Sequence, residues 1–140
     1  MKTVYKLCYI KDNDYISVCR NCVFPEKFRV YYELNKVIKP KVSGTKLFVF
    51  DSLKNAKHFA STLFCNQSRY VILECSTPKV WKPKYLSDIF HIAKFWSLKK
   101  NHKKIPYTIT YGEDIPTGTL CCNELTPLKV VAGRDAIIKE

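Results

Sequence analysis

The chain has 140 residues and a formal net charge of +12, and its composition is 46% apolar and 14% aromatic. That composition argues against intrinsic disorder, and the length predicts a single domain, residues 1–140, with one hydrophobic core. No apolar run approaches the roughly 18 residues of a transmembrane helix, and Met1–Ile10 lacks the apolar region of a signal peptide. We therefore expect no membrane association and an intracellular location.

The first half of the chain predicts four strands and one helix. The strands are expected at Met1–Ile10, Tyr15–Cys19, Phe28–Leu34 and Leu47–Phe50. In the first strand, the polar residues Thr3 and Lys6 interleave with apolar ones, although both faces are partly apolar. The turn residues Lys11–Asp14 predict an antiparallel hairpin of the first two strands. Asp51 or Ser52 then caps a helix whose apolar face carries Leu53, Ala56, Ala60, Leu63 and Phe64.

The second half predicts another helix among further strands. Arg69–Cys75 reads as a strand, and Ser87 or Asp88 caps a helix that runs to about Lys100. Shorter strands are expected at Tyr107–Tyr111, Leu120–Cys122 and Leu128–Val131, and the tail Gly133–Glu140 as a short helix or strand. The strands and helices do not alternate regularly. The order predicts an α+β domain, with a mainly antiparallel curved sheet and two helices packed against it.

Lysine carries nearly all of the positive charge. The arginines are Arg20, Arg29, Arg69 and Arg134, and every other basic residue is a lysine. Lysine is a flexible point charge, whereas arginine is the planar group that reads base edges bidentately. The composition therefore favours attraction to the phosphate backbone of DNA or RNA, or to another polyanion, over sequence-specific reading. A second interpretation stays open, in which an A·T-rich genome enriched the chain in lysine without any polyanionic partner.

Two sets of basic residues are candidates for a nucleic-acid-binding surface. The first set flanks the predicted second helix and comprises Lys79, Lys82, Lys84, Lys99, Lys100, Lys103 and Lys104. The second set lies in a predicted loop and comprises Lys36, Lys39, Lys41 and Lys46. Trp81, which lies among the first lysines, suits stacking on an unpaired base, although a tryptophan folded back onto the core fits the pattern too. We expect the two halves of the first set to share one surface, because the intervening helix is only about 20 Å long.

No motif predicts catalysis, a metal site or a cofactor. Cys19 and Cys22 have the spacing of half a zinc site, but the adjacent Cys121 and Cys122 would face opposite sides of a strand. Seven cysteines are an odd number, which favours buried reduced thiols over a disulfide framework. The histidines, which belong to no recognisable catalytic pattern, are His58, His91 and His102.

Two carboxylates have an ambiguous position in the sequence. Glu74 and Glu33 each lie within a predicted strand of apolar residues. A carboxylate there is costly unless it is paired or faces a cleft. One interpretation is a ligand-binding or catalytic carboxylate, and the other is a solvated side chain that pairs with a cross-strand lysine.

The order of several segments resembles a group of viral proteins. The segments are Tyr32–Lys36 with Pro40 and Gly44, Leu47–Ala56 with Phe59 and Ala60, Val71–Cys75, Gly118–Cys122 and Leu125–Val131. They resemble small uncharacterised proteins of tailed phages and large DNA viruses, with Asn35 where that pattern has glycine. The layout also resembles single-domain ADP-ribosyltransferases, but their His, Tyr and Glu signature has no matching residues here.

Three hypotheses of function follow. The leading one is a non-enzymatic, virus-type accessory or virion protein that binds nucleic acid through backbone phosphates with little sequence specificity. The second is a small enzyme or ligand-binding domain of ADP-ribosyltransferase-like layout, with Glu74 or Glu33 in a cleft. The third is an interaction protein whose basic face docks an acidic partner. A clustered basic surface would favour the first, and a deep apolar cleft with a buried carboxylate the second.

Overall fold

The computed structural model describes residues 1–17, 29–41, 45–63, 69–83 and 116–134. These residues form one curved antiparallel sheet of seven strands, shaped as a half-barrel, and one helix. The strands are β1 (Lys2–Lys11), β2 (Asp14–Ser17), β3 (Tyr31–Tyr32), β4 (Leu47–Phe50), β5 (Tyr70–Thr77), β6 (Thr119–Cys122) and β7 (Thr126–Arg134), and the helix is α1 (Leu53–Leu63). The predicted curved antiparallel sheet and first helix are confirmed. The predicted second helix up to Lys100 and the predicted strand Tyr107–Tyr111 lie outside the described residues.

β1 is the central strand of the sheet. One edge of β1 pairs with β5 from Lys2↔Thr77 to Tyr9↔Tyr70, and β5 pairs in turn with β7. The other edge pairs with β2 near its end and with β4 at Tyr5↔Phe50. β2 continues to β3 and β4 continues to β6. No helix in the described ranges is long and apolar enough to cross a membrane.

The predicted β1–β2 hairpin is confirmed, and its turn explains the local sequence. Lys11 pairs with Asp14, which leaves a two-residue loop of Asp12 and Asn13. Their φ angles are 50° and 70°. Two positive φ angles define the tight turn that matches strand twist, and Asp and Asn tolerate that conformation better than most residues.

Both faces of the central strands are buried. On the face away from α1, Val4 and Cys8 of β1 pack with Leu73 of β5 and with side chains of β3, β4 and β6. On the other face, Leu7 and Ile72 pack against α1. Ala56 and Ala60 are fully buried there, so their placement on the apolar face is confirmed, and the half-buried Leu53 packs beside them. The side chains of Leu63 and Phe64 lie outside the described part.

The third strand is much shorter than predicted, because the chain turns away from the sheet after Tyr32. Asn35 adopts a φ of 64°, a left-handed conformation that asparagine tolerates. Beyond it the chain reaches the start of β7. The backbone N–H of Asn35 donates to the Pro127 carbonyl at 2.7 Å, and Ile38 and Leu125 bond to each other. This crossing places residues 35–41 beside the start of β7, near the candidate site.

Candidate nucleic-acid interface

Trp81 brings the two predicted basic sets together. The ammonium of Lys46, from the loop set, lies 4.9 Å from the centroid of the Trp81 ring, and that of Lys79 lies 5.1 Å from it. Cations at this distance from an indole face are attracted by its quadrupole. Lys46 also donates a hydrogen bond to the side-chain carbonyl of Asn123. Trp81 is half-buried, with both lysines over its ring, and the predicted stacking of a base on it stays a prediction.

The backbone holds both basic segments to the same stretch, Cys121–Leu125. Trp81 and Cys121 exchange backbone hydrogen bonds of 2.9 and 2.8 Å, and Ile38 and Leu125 exchange bonds of 2.7 and 3.0 Å. Four residues of chain span at most about 14 Å. The two lysine-bearing segments therefore leave this stretch at points separated by no more than that distance.

A third tie comes from β5. The buried hydroxyl of Thr77 donates to the Glu124 carbonyl at 2.6 Å and approaches the Lys79 carbonyl at 3.4 Å. A buried hydroxyl with a backbone partner fixes the chain locally, because losing that partner would leave a desolvated polar group. Lys79 is thus presented from a rigid base although its own side chain is exposed.

A shallow concavity of about 210 Å³ lies between two segments of the chain. Its walls are the segment Arg29–Tyr31 and the segment Val37–Lys41. Three of its lining residues are basic, namely Arg29, Lys39 and Lys41. Ile38 of this wall bonds to Leu125, and Trp81 bonds to Cys121. The stretch Cys121–Leu125 therefore holds both the concavity and the group formed by Trp81, Lys46 and Lys79. We refer to Arg29, Lys39, Lys41, Lys46, Lys79 and Lys82 together as the basic surface.

The remaining predicted basic residues have different positions. The ammonium of Lys36 is 3.1 Å from the carboxylate of Glu33, in an exposed pair that leaves it partly neutralised. Lys82 is exposed beside Trp81. The predicted site residues Lys84, Lys99, Lys100, Lys103 and Lys104 lie outside the described residues, so the expected sharing of a surface across the second helix stays a prediction.

The two ambiguous carboxylates are both paired with lysines. Glu74 faces Lys129 across β5 and β7, with 3.8 Å between the carboxylate and the ammonium, and its side chain is 26% exposed. Glu33 lies in the exposed pair with Lys36. These positions match the cross-strand or solvated interpretation of the sequence. Neither carboxylate lines the concavity of the basic surface.

A buried lysine is the feature that the sequence reasoning missed. Lys6 was expected among the polar residues of β1, but it is only 8% exposed and lies on the same face as Val4 and Cys8. Its ammonium donates to the Phe48 carbonyl at 2.8 Å and lies 5.3 Å from the Tyr32 ring centroid. The spacing of Lys6 from Val4 and Cys8 was a usable signal, since residues two apart in a strand share a face.

Burial controls the protonation of the groups around Lys6. Desolvation lowers the pKa of the Lys6 ammonium, with the thiols of Cys8, Cys122 and Cys75 acting in the opposite direction. Burial raises the pKa of Cys75 to about 12, and it raises the pKa of the Tyr32 hydroxyl as well. The thiols therefore stay protonated at neutral pH and are poor nucleophiles or metal ligands. Lys6, Tyr32 and the neighbouring buried thiols therefore have a structural role in the core.

The described cysteines behave as the sequence predicted for buried thiols. Cys8, Cys75, Cys121 and Cys122 are buried thiols that belong to no disulfide. In the described part of the chain, no three His, Cys, Asp or Glu side chains are grouped so as to hold a metal ion. Cys19 and Cys22, the two residues with zinc-like spacing, lie outside the described residues. Comparison with known proteins finds no matching family model, no matching curated protein and no matching solved structure.

Proposed function

We propose that this protein binds nucleic acid through its backbone phosphates, without enzymatic activity and with little sequence specificity. The observation that carries the proposal is the joining of the two basic sets at Trp81, where Lys46 and Lys79 lie over one ring. A surface that gathers cations from two distant segments attracts a polymer of regularly spaced anions.

The two segments of the basic surface start close to each other. Their anchor points on Cys121–Leu125 are at most about 14 Å apart, so one nucleic-acid strand can contact both segments. The lysines Lys39, Lys41, Lys79 and Lys82 are exposed, so their ammonium groups reach phosphates without leaving a buried position. Lysines of this kind neutralise phosphates but do not read bases, which supports weak sequence preference.

An acidic protein partner would bind the same surface, and a binding experiment distinguishes such a partner from nucleic acid. The enzymatic alternative has less support, because Glu33 and Glu74 are engaged by Lys36 and Lys129 in exposed or half-exposed pairs. A catalytic carboxylate of the expected kind would lie in an apolar cleft with a raised pKa.

The test compares two variants that lose the same charge from different places. In the first, the exposed lysines of the basic surface, Lys39, Lys41, Lys79 and Lys82, are changed to Gln. In the matched control, four exposed lysines of β1 and α1, Lys2, Lys11, Lys54 and Lys57, are changed to Gln. Binding of a labelled oligonucleotide is measured by fluorescence anisotropy at about 50 mM salt.

The proposal predicts at least about a tenfold loss of affinity in the first variant and a clearly smaller loss in the control. Equal losses in both variants would mean that net charge alone governs binding. Such a result would contradict the assignment to the basic surface. An absence of any binding by the unmodified protein at this salt concentration would overturn the proposed function itself.

A further inference from the structure

We infer that the concavity between Arg29–Tyr31 and Val37–Lys41 holds an unpaired base against Tyr31, so that the preferred ligand is single-stranded nucleic acid; this inference rests on the proposed function. It assigns a base-stacking role to a residue that the sequence did not single out.

The first observation is the exposure of apolar side chains around the concavity. Tyr31 and Tyr32 are neighbours in β3 and point to opposite faces. Tyr32 is 4% exposed, inside the core, whereas Tyr31 is 48% exposed. The described residues expose four large apolar side chains, namely Met1, Tyr31, Val37 and Leu128. Two of these four, Tyr31 and Val37, line the same concavity. An aromatic ring and an aliphatic side chain on facing walls suit the flat, weakly polar face of a base.

The second observation is the charge of the walls. The concavity is lined by Arg29, Lys39 and Lys41, and no carboxylate among the described residues lines it. Arg29 is half-buried at the wall of the concavity, and a guanidinium binds phosphate oxygens strongly. The walls thus offer an anion site beside an exposed aromatic ring.

The third step is the distinction between single and double strands. A base in a duplex is already stacked between its neighbours, and extruding it costs free energy. Stacking on an aromatic side chain returns a gain of about the same size, so a duplex gains little from Tyr31. A single strand presents its bases without that cost. The open concavity of about 210 Å³ is large enough for one base and too small for a double helix.

The experiment measures binding of an oligothymidine strand and of a duplex of the same length at about 50 mM salt. The full chain is compared with Tyr31→Ala, Tyr31→Phe and the control Leu128→Ala, which removes an apolar side chain of similar exposure, 44%, from another strand. We expect Tyr31→Ala to weaken single-strand binding about 5- to 100-fold and to leave duplex binding within about twofold. Tyr31→Phe and Leu128→Ala should each stay within about twofold of the unmodified chain, because the ring is retained in one and untouched in the other.

A second measurement locates the base directly. Photocrosslinking with a 5-iodouracil-substituted strand, followed by peptide mass spectrometry, should modify Tyr31. If circular dichroism shows that Tyr31→Ala does not fold, the crosslinking of the unmodified chain still tests whether a base contacts Tyr31.

The outcomes separate this inference from the proposed function. Salt-sensitive binding with equal affinity for both nucleic acids, no effect of Tyr31→Ala and crosslinks confined to other residues would overturn the inference and leave the proposed function standing. Failure of the unmodified chain to bind either nucleic acid would overturn both. Equally tight binding of polyglutamate, unaffected by Tyr31→Ala, would assign the surface to an acidic protein partner and overturn the inference.

Discussion

Replacing the buried Lys6 with methionine should stabilise the protein at neutral pH. Methionine has a similar length and no charge, and it fits irregular core space. The protonated lysine gains about 1.5–3 kcal/mol from a charged hydrogen bond to the Phe48 carbonyl. The Tyr32 ring adds about 2 kcal/mol at a desolvated site. Against these gains, burying an ammonium costs several kcal/mol.

The pKa of Lys6 decides which of these effects is larger. Because burial lowers that pKa, desolvation outweighs the favourable contacts of the charged form. We therefore expect Lys6→Met to raise the free energy of unfolding at pH 7 by about 1–3 kcal/mol. Thermal melting should shift upward by about 3–5 °C for each kcal/mol in a chain of this size. Lys2→Met, an exposed position of the same strand, should change stability by less than about 0.5 kcal/mol.

The pH dependence gives this prediction a definite sign. The unfolded chain keeps the Lys6 proton up to its ordinary pKa of 10.5, whereas the folded chain releases it at a lower pH. Between those two values the unfolded state binds more protons at Lys6, so the contribution of Lys6 to the stability of the unmodified protein rises with pH. The advantage of Lys6→Met should accordingly be largest at low pH and shrink as pH approaches 10.5. A variant that is less stable at pH 7, with a difference that does not change with pH, would refute the reasoning.

Three further predictions concern the same fold. Gly118 has a φ of 83°, and a Cβ there would collide with the side chains of Asp51 and Asn55. Gly118→Ala should therefore lower the free energy of unfolding, measured in urea, by about 1–3 kcal/mol. Adding Asn55→Ala should recover part of that loss, because it removes one of the colliding side chains. The Ser52 hydroxyl accepts a hydrogen bond from the backbone N–H of Asn55 at 3.1 Å and caps α1. Ser52→Ala should therefore lower the free energy of unfolding by about 1 kcal/mol, and an unchanged stability would argue against this helix cap. Because the pKa of Cys75 is raised from 9.0 to about 12, the folded state keeps a proton that the unfolded state loses. The urea midpoint of the unmodified protein should therefore fall relative to that of Cys75→Ala as pH rises above 9.0; a difference that stays constant with pH would contradict the burial of this thiol.

The sequence predicted those elements whose cause is local. Asp12 and Asn13 marked the β1–β2 turn because few other residues adopt two positive φ angles in succession. α1 was predictable because Ala56 and Ala60 lie on one side of a helix. β4 was predictable because its continuous apolar run matches a strand buried on both faces.

The features that the sequence did not predict depend on contacts between distant segments. β3 ends early because Asn35 bonds to Pro127 and Ile38 bonds to Leu125, each about ninety residues away along the chain. The spacing of Lys6 from Val4 and Cys8 indicates an inward face, but its partners in the core, the Phe48 carbonyl and the Tyr32 ring, come from distant strands.

The candidate site was also predictable only where its cause is local in the sequence. Lysine-rich segments were visible in composition, but the meeting of Lys46 and Lys79 at Trp81 depends on two separate strand bridges. Arg29 and Tyr31 gain their place beside Lys39 only because the chain returns past β3. No pattern in the sequence brings these residues together.

The salt dependence of oligonucleotide binding tests the central claim most directly. The basic surface has six cationic side chains, those of Arg29, Lys39, Lys41, Lys46, Lys79 and Lys82. If each neutralises one phosphate of a single strand, the logarithm of the association constant should fall with the logarithm of salt concentration with a slope of about −4. Affinity should then drop a few hundred-fold between about 50 and 200 mM salt, with little difference between oligonucleotide sequences. A slope near zero, or no binding at the lower concentration, would contradict the account.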